Sequence, residues 1–147
     1  MRLIKPILQF KTLLFATVLA VPMLSHAGVE PIMSATTAWD GSIFEYPEGE
    51  AKVTAVKLVL NEGDVSPYHC HPVPTMGYVI KGKIEVETAD GKTTIMEAGQ
   101  PAVEVMGKIH RGRAIEAPVE IVVFYAGNSE LPTTLMPDSE LGKKYCH

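Results

Sequence analysis

Beyond residue 27 this 147-residue chain has four histidines, His69, His71, His110 and His147. The first two stand one residue apart in the stretch GDVSPYHCHPVPTMGYVIKG, residues 63–82. Alternate side chains of an extended strand share a face. His69 and His71 therefore point one way and Cys70 the other, with the imidazoles roughly 7 Å apart along the backbone. Imidazoles placed like this can converge on one metal ion, and a third from elsewhere would leave a coordination position open for a substrate. His110 is the candidate third ligand. His147 is the last residue, where order is commonly lost. The alternative is that these histidines are ordinary polar residues on exposed strand ends.

Other groups could act beside such a cluster. Glu104 interrupts the apolar segment PAVEVM. It lies either on the outer face or inward, as a ligand or general base, and an inward carboxylate would need a metal or an Arg as partner. Arg111 and Arg113 flank Gly112, a place where the strand could bulge. By alternation one of the two should face inward, where it could grip a carboxylate substrate; the alternative is that they are solvated. Tyr78 and Tyr125 are expected as pocket wall or substrate contacts, and Tyr68 as packing. Met76 and Met106 are expected in the barrel wall, and thioethers near the imidazoles would favour copper. The candidate catalytic residues are thus Glu104, Arg111, Arg113 and Tyr78.

The elements that position these residues read as short β segments divided by turn signals. Residues 28–40 form an N-terminal arm. SIFEY, KVTAVKLVL, VSPYHCH, GYVI, KIEVET, KTTIM, PAVEVM, IHRGRAI and VEIVVFYAG follow, broken by glycine, proline and acidic residues. Nothing from 41 to 127 carries a helical period. Strands recurring about every 8–12 residues point to a sandwich or barrel. Residues 128–147, with Pro132, Pro137 and Gly142, read as an irregular tail. The organisation is one all-β domain over 41–127.

Residues 1–27 read as a secretory signal peptide: basic Arg2, Lys5 and Lys11, an apolar run over 12–24, then Ser25-His26-Ala27 before cleavage. The alternative, a membrane anchor, would need roughly 20 apolar residues. The remaining residues carry 10 Lys and Arg against 17 Asp and Glu, a formal charge of −7. An acidic domain without a basic run is a poor partner for nucleic acid or anionic lipid, which leaves a small molecule or a cation. Export, to the periplasm or beyond, would permit a disulfide between Cys70 and Cys146, although two free thiols fit the sequence equally well.

Both histidine-bearing segments resemble the paired motifs of the cupins, a superfamily of small β-barrels. The first motif is matched by Gly63, five residues, His69-Cys70-His71, three residues, Thr75, six residues, Gly82. The second is matched by Gly99, five residues, Val105-Met106-Gly107, two residues, His110, three residues, Ala114. Thr75 stands where the motif has Glu, Val105 where it has Pro, and Ala114 where it has Asn. The resemblance covers roughly 50–126 and implies a jelly-roll-like cupin barrel with metal ligands at His69, His71 and His110. It also implies a homodimer, since cupins commonly pair through sheet edges.

Three neutral imidazoles suit divalent Fe, Zn, Cu or Ni, and an added carboxylate suits a harder ion such as Mn. Some cupins, thiol and β-diketone dioxygenases among them, use three histidines and leave positions open for substrate and O₂. The expected function is therefore an exported metal-dependent enzyme, dioxygenase-like or an isomerase or lyase, acting on a small oxygenated molecule. One alternative is a non-catalytic module that binds a sugar, an organic acid or the metal itself. Another is a dimeric barrel with a vestigial site. An inward acid or base beside the metal, with Glu104 the main candidate, separates these readings.

Overall fold

A computed structural model describes residues 28–147; the expected signal peptide, 1–27, lies outside them. The chain divides into two units. Of the first, Met1–Glu30, only Gly28–Glu30 is described, and it has no regular structure. The second, Pro31–His147, holds every element below.

Five strands form one antiparallel sheet: β1 (Ala51–Leu60), β2 (Thr75–Thr88), β3 (Thr93–Glu97), β4 (Pro101–Val103) and β5 (His110–Asn128). Their order is β1-β5-β2-β3, with β4 also paired to β2. A six-residue helix, α1 (Glu140–Tyr145), lies in the tail read from sequence as irregular, and its N-cap Ser139 accepts the Gly142 N–H. Among the described residues no helix is long and apolar enough to cross a membrane.

Two long strands replace four short ones. GYVI and KIEVET are one strand, β2, and IHRGRAI and VEIVVFYAG are one strand, β5. The β2–β5 register shifts between Val79 and Ile84, around Gly82 at φ +78°. There a Cβ would run into the carbonyl oxygens of Glu116 and Pro118, so only glycine fits this bulge. A one-residue slip turns every later side chain to the other face. Thr75 and Val79 are buried before the bulge, and Ile84, Val86 and Thr88 after it. In β5 the buried set changes from His110 and Gly112 to Val119, Ile121, Val123 and Tyr125. The two parity changes keep both ends of each strand facing one interior. Burial of Val79, Ile84, Val86, Val119 and Ile121 stabilises it by roughly 1.5–3 kcal/mol per side chain.

Two expected strands exist only as isolated pairings. SIFEY makes the single bridge Thr37↔Ile43. VSPYHCH makes Val65↔Arg113, His69↔His110, Cys70↔Leu135 and His71↔Met106. Pro67 and Pro72 have no N–H to continue a ladder, so this segment touches three others instead of extending one.

Candidate metal centre

His69 and His110 lie side by side. Their backbones exchange both hydrogen bonds, His69 N–H to His110 O at 2.9 Å and His110 N–H to His69 O at 2.8 Å. His71 is held by the bridge to Met106 and by the Gly107 N–H, which donates to its carbonyl at 2.9 Å. The three imidazole centroids are 4.5–5.0 Å apart, and one nitrogen from each ring lies within 4.8 Å of the other two. His71 and His110 are buried and His69 is partly exposed.

The backbone decides which nitrogens face inward. Each Nδ1 lies 2.8 Å from a carbonyl oxygen: Pro67 for His69, Thr133 for His71 and Lys108 for His110. A carbonyl can only accept, so each Nδ1 carries the proton and each Nε2 presents a lone pair. Burial holds all three imidazoles below their ordinary titration range. His71 is brought down to about 3, by burial first and then by His110 and His69. The rings are therefore neutral near pH 7.

Glu104 completes the cluster. The Trp39 N–H donates to Val103 O at 3.0 Å, and the Glu104 N–H donates to Thr75 O at 2.8 Å. These contacts set the Glu104 side chain inward, 15 % exposed, with Oε2 3.8 Å from His110 Nε2. Oε2 is sealed from solvent and accepts no hydrogen bond. The Trp39 indole N–H is close enough to favour the ionised carboxylate without making a hydrogen bond of normal geometry. Burial outweighs it and pushes the Glu104 carboxyl up to about 6.

Three unprotonated nitrogens and an unpaired carboxylate oxygen thus meet in one buried place with no donor among them. That donor set fits a divalent transition metal. His69, His71 and His110 would hold it, with Glu104 beside them.

Tyr125 closes one side, its ring 5.4 Å from that of His71. Burial, with the Glu104 charge adding to it, keeps the phenol protonated. A cavity of about 260 Å³ adjoins the histidines and is lined by Glu104, Tyr125, Thr134 and apolar residues of β1, β2 and β5.

Arg111, Arg113 and Tyr78 are not in it. β5 pairs regularly with β2 through Glu87↔Arg111, Val86↔Gly112 and Glu85↔Arg113. The bulge sits at Gly82 rather than Gly112, so both arginines share the face opposite His110 and neither turns inward. Arg111 pairs with Glu87 at 2.5 Å and stacks 4.6 Å from the centre of the Tyr68 ring. Arg113 pairs with Glu85 at 2.5 Å. Tyr78 lies between Gly77 and Val79, which both line the cavity, so alternation turns its ring outward.

The tail contributes what no motif announces. Cys70 and Cys146 form a disulfide, and Cys70 and Leu135 exchange backbone hydrogen bonds of 2.9 Å. That connection brings the Thr133 carbonyl to His71. The last residue is also held, with the His147 N–H donating to Gly107 O at 2.9 Å and the Ile109 N–H to His147 O at 3.0 Å. A backbone carbonyl has no side-chain signature, so Thr133 could not be read from the sequence.

Residues 56–125 match the family model of the cupin domain. This segment is a cupin domain. It carries all three histidines, Glu104 and Tyr125. No curated protein sequence matches the chain. Among solved structures, a cupin-like protein from Thermotoga maritima aligns at 15% identity over 65% of this chain and 74% of its own, TM-score 0.49. A Klebsiella pneumoniae protein with a double-stranded β-helix domain aligns at 19% identity over 63% and 90%, TM-score 0.48. The DMSP lyase DddQ from Ruegeria pomeroyi aligns at 21% identity over 68% of this chain and 49% of its own, TM-score 0.48.

Proposed function

We propose that this cupin is a metal-dependent enzyme in which His69, His71 and His110 hold a divalent transition metal and Glu104 supplies the adjacent carboxylate. The supporting observation is the orientation of the imidazoles: three backbone carbonyls take the Nδ1 protons and turn three Nε2 lone pairs toward one point beside an unpaired carboxylate oxygen. Bound there, the metal would supply Lewis acidity, or O₂ chemistry if it is redox-active, for a small oxygenated substrate. Dioxygenase-like, isomerase and lyase reactions all fit that chemistry.

Thr75, at the motif's Glu position, is buried and donates its hydroxyl to Val73 O at 3.0 Å. Glu104 lies across the ladder from it, joined by the Glu104 N–H to Thr75 O bond. The carboxylate of this site therefore comes from the residue that follows β4. A carboxylate beside the metal would be placed to accept a proton from a bound substrate and return it. The neutral Tyr125 phenol can donate a hydrogen bond to a bound oxygen. An inward acid beside the ligands favours an enzyme over a non-catalytic module.

Export belongs to the same reading, supported by the disulfide. So does the homodimer, for which the edge strand β1 offers exposed Val53 and Val59. The test is metal analysis of protein purified without a histidine tag, beside a His69→Ala/His110→Ala variant. Near-stoichiometric metal in the first and none in the second is expected. Trace metal in both, with folding unchanged, would overturn the enzyme reading.

A further inference from the structure

The cavity beside the histidines has a largely apolar wall. Val56 and Leu58 of β1, Ile84 and Val86 of β2, and Ile121 and Val123 of β5 form most of it. Its polar groups are few. Ser66 Oγ accepts the Gly112 N–H at 2.9 Å and keeps only its hydroxyl proton to donate, beside Glu104, Tyr125, Thr134 and the imidazoles. Lys57 contributes to the lining, but its ammonium pairs with Glu120 at 2.6 Å. Glu120 lies between inward Val119 and Ile121, so that pair is on the outer face. With Arg111 and Arg113 also outside, no cationic side chain among the described residues reaches the cavity.

Charge balance then restricts the occupant. Three neutral imidazoles, one carboxylate and a divalent ion sum to a single positive charge. One singly ionised head neutralises it. A second anionic group would find no cationic partner on this wall and could reach water only past the partly exposed Val56 and Leu58. A polyol would set most of its hydroxyls against apolar side chains. The cavity of about 260 Å³ is near the lower end of small-molecule sites, roughly 300–1,000 Å³, enough for one ring with short substituents.

We propose that the ligand of this site is a small molecule with an apolar body and one acidic, two-oxygen head, and that dianions and sugars are excluded. The acidic head rests on the metal reading above; the apolar body rests on the wall alone.

The test uses Co²⁺-loaded protein titrated with benzohydroxamate, acetohydroxamate and oxalate. Cobalt absorption reports binding, and metal analysis after gel filtration confirms that the ion stays bound. Benzohydroxamate is expected to bind at least tenfold tighter than acetohydroxamate, because its ring leaves water for the apolar wall, and tighter than oxalate. Val56→Arg, on the partly exposed edge strand, is expected to narrow the gap to oxalate at least tenfold. Oxalate binding as tightly as benzohydroxamate, or no gain from the ring, would overturn the proposal. If the protein takes up no cobalt, the metal reading and the acidic head fail together. The apolar class is then decided on metal-free protein by benzamide against acetamide, followed through the Ile121 and Val123 methyl resonances. A preference for benzamide supports it and equal binding overturns it.

Discussion

Replacing Glu104 by Gln separates what the carboxylate costs the metal-free fold from what it contributes to the site. Burial raises its carboxyl from 4.5 to about 6, a difference of about 2 kcal/mol. Between pH 4.5 and 6 the folded protein keeps a proton that the unfolded chain has released. Stability therefore falls as pH rises through that window, and the full penalty is present above it. Gln does not titrate, fills the same volume, and can donate its amide to the His110 Nε2 lone pair. Metal-free Glu104→Gln should exceed the parent by up to about 2 kcal/mol at pH 7.5, or roughly 8 °C in Tm, with no such gain at pH 4. The histidines titrate in the opposite sense, losing stability as pH falls, and the Glu104 charge acts on His69, so the gain is read at pH 7.5, where all three rings are neutral. Denaturant unfolding in EDTA measures this, with the single Trp39 beside the carboxylate as the fluorescent reporter. With Zn²⁺ present the order should reverse, the parent gaining more from the ion than the variant. A variant that is equally destabilised at pH 4 and pH 7.5 would refute the reasoning and make Glu104 a structural hydrogen-bonding group.

Cys146→Ser opens a cross-link between residues 76 apart in sequence. The chain-entropy loss is about 4.5 kcal/mol, and Zn²⁺ affinity should fall about tenfold because the Thr133 carbonyl is no longer held against His71; denaturation and metal titration measure the two effects. Gly82→Ala forces a Cβ into two carbonyls at a positive φ and should cost more than about 2 kcal/mol by thermal or denaturant unfolding. Arg111→Ala and Arg113→Ala should leave metal affinity within twofold of the parent, since both side chains pair with glutamates on the outer face; a larger loss would place one of them in the site.

The three histidine positions were legible because their spacing reflects the pleat. His69 and His71 share a face by period two, and His110 falls where a second β unit meets the first. Glu104 was legible as a conflict, a carboxylate in an apolar strand, but its direction was not. That depends on the Trp39 and Thr75 contacts across β4. The direction of Arg111 and Arg113 is not legible in the sequence, because the glycine between them has the composition of a bulge. The bulge is at Gly82, where the β2–β5 ladder has to step past the Glu116 and Pro118 carbonyls, and local sequence does not report that crowding. Strand lengths failed for the same reason. Lys81-Gly82-Lys83 has the composition of a turn, yet β2 continues through it with its faces exchanged. The role of the tail depended on one long-range pairing, Cys70 with Cys146, which sequence offered only as one of two equal possibilities.

X-ray absorption at the edge of the metal that copurifies with the untagged protein tests the central claim most directly. Three imidazole nitrogens at about 2.0–2.2 Å in the native protein, two in His110→Ala, and loss of one oxygen neighbour in Glu104→Gln are the expected results. A shell of oxygens alone, unchanged by either substitution, would contradict the account and place the metal elsewhere.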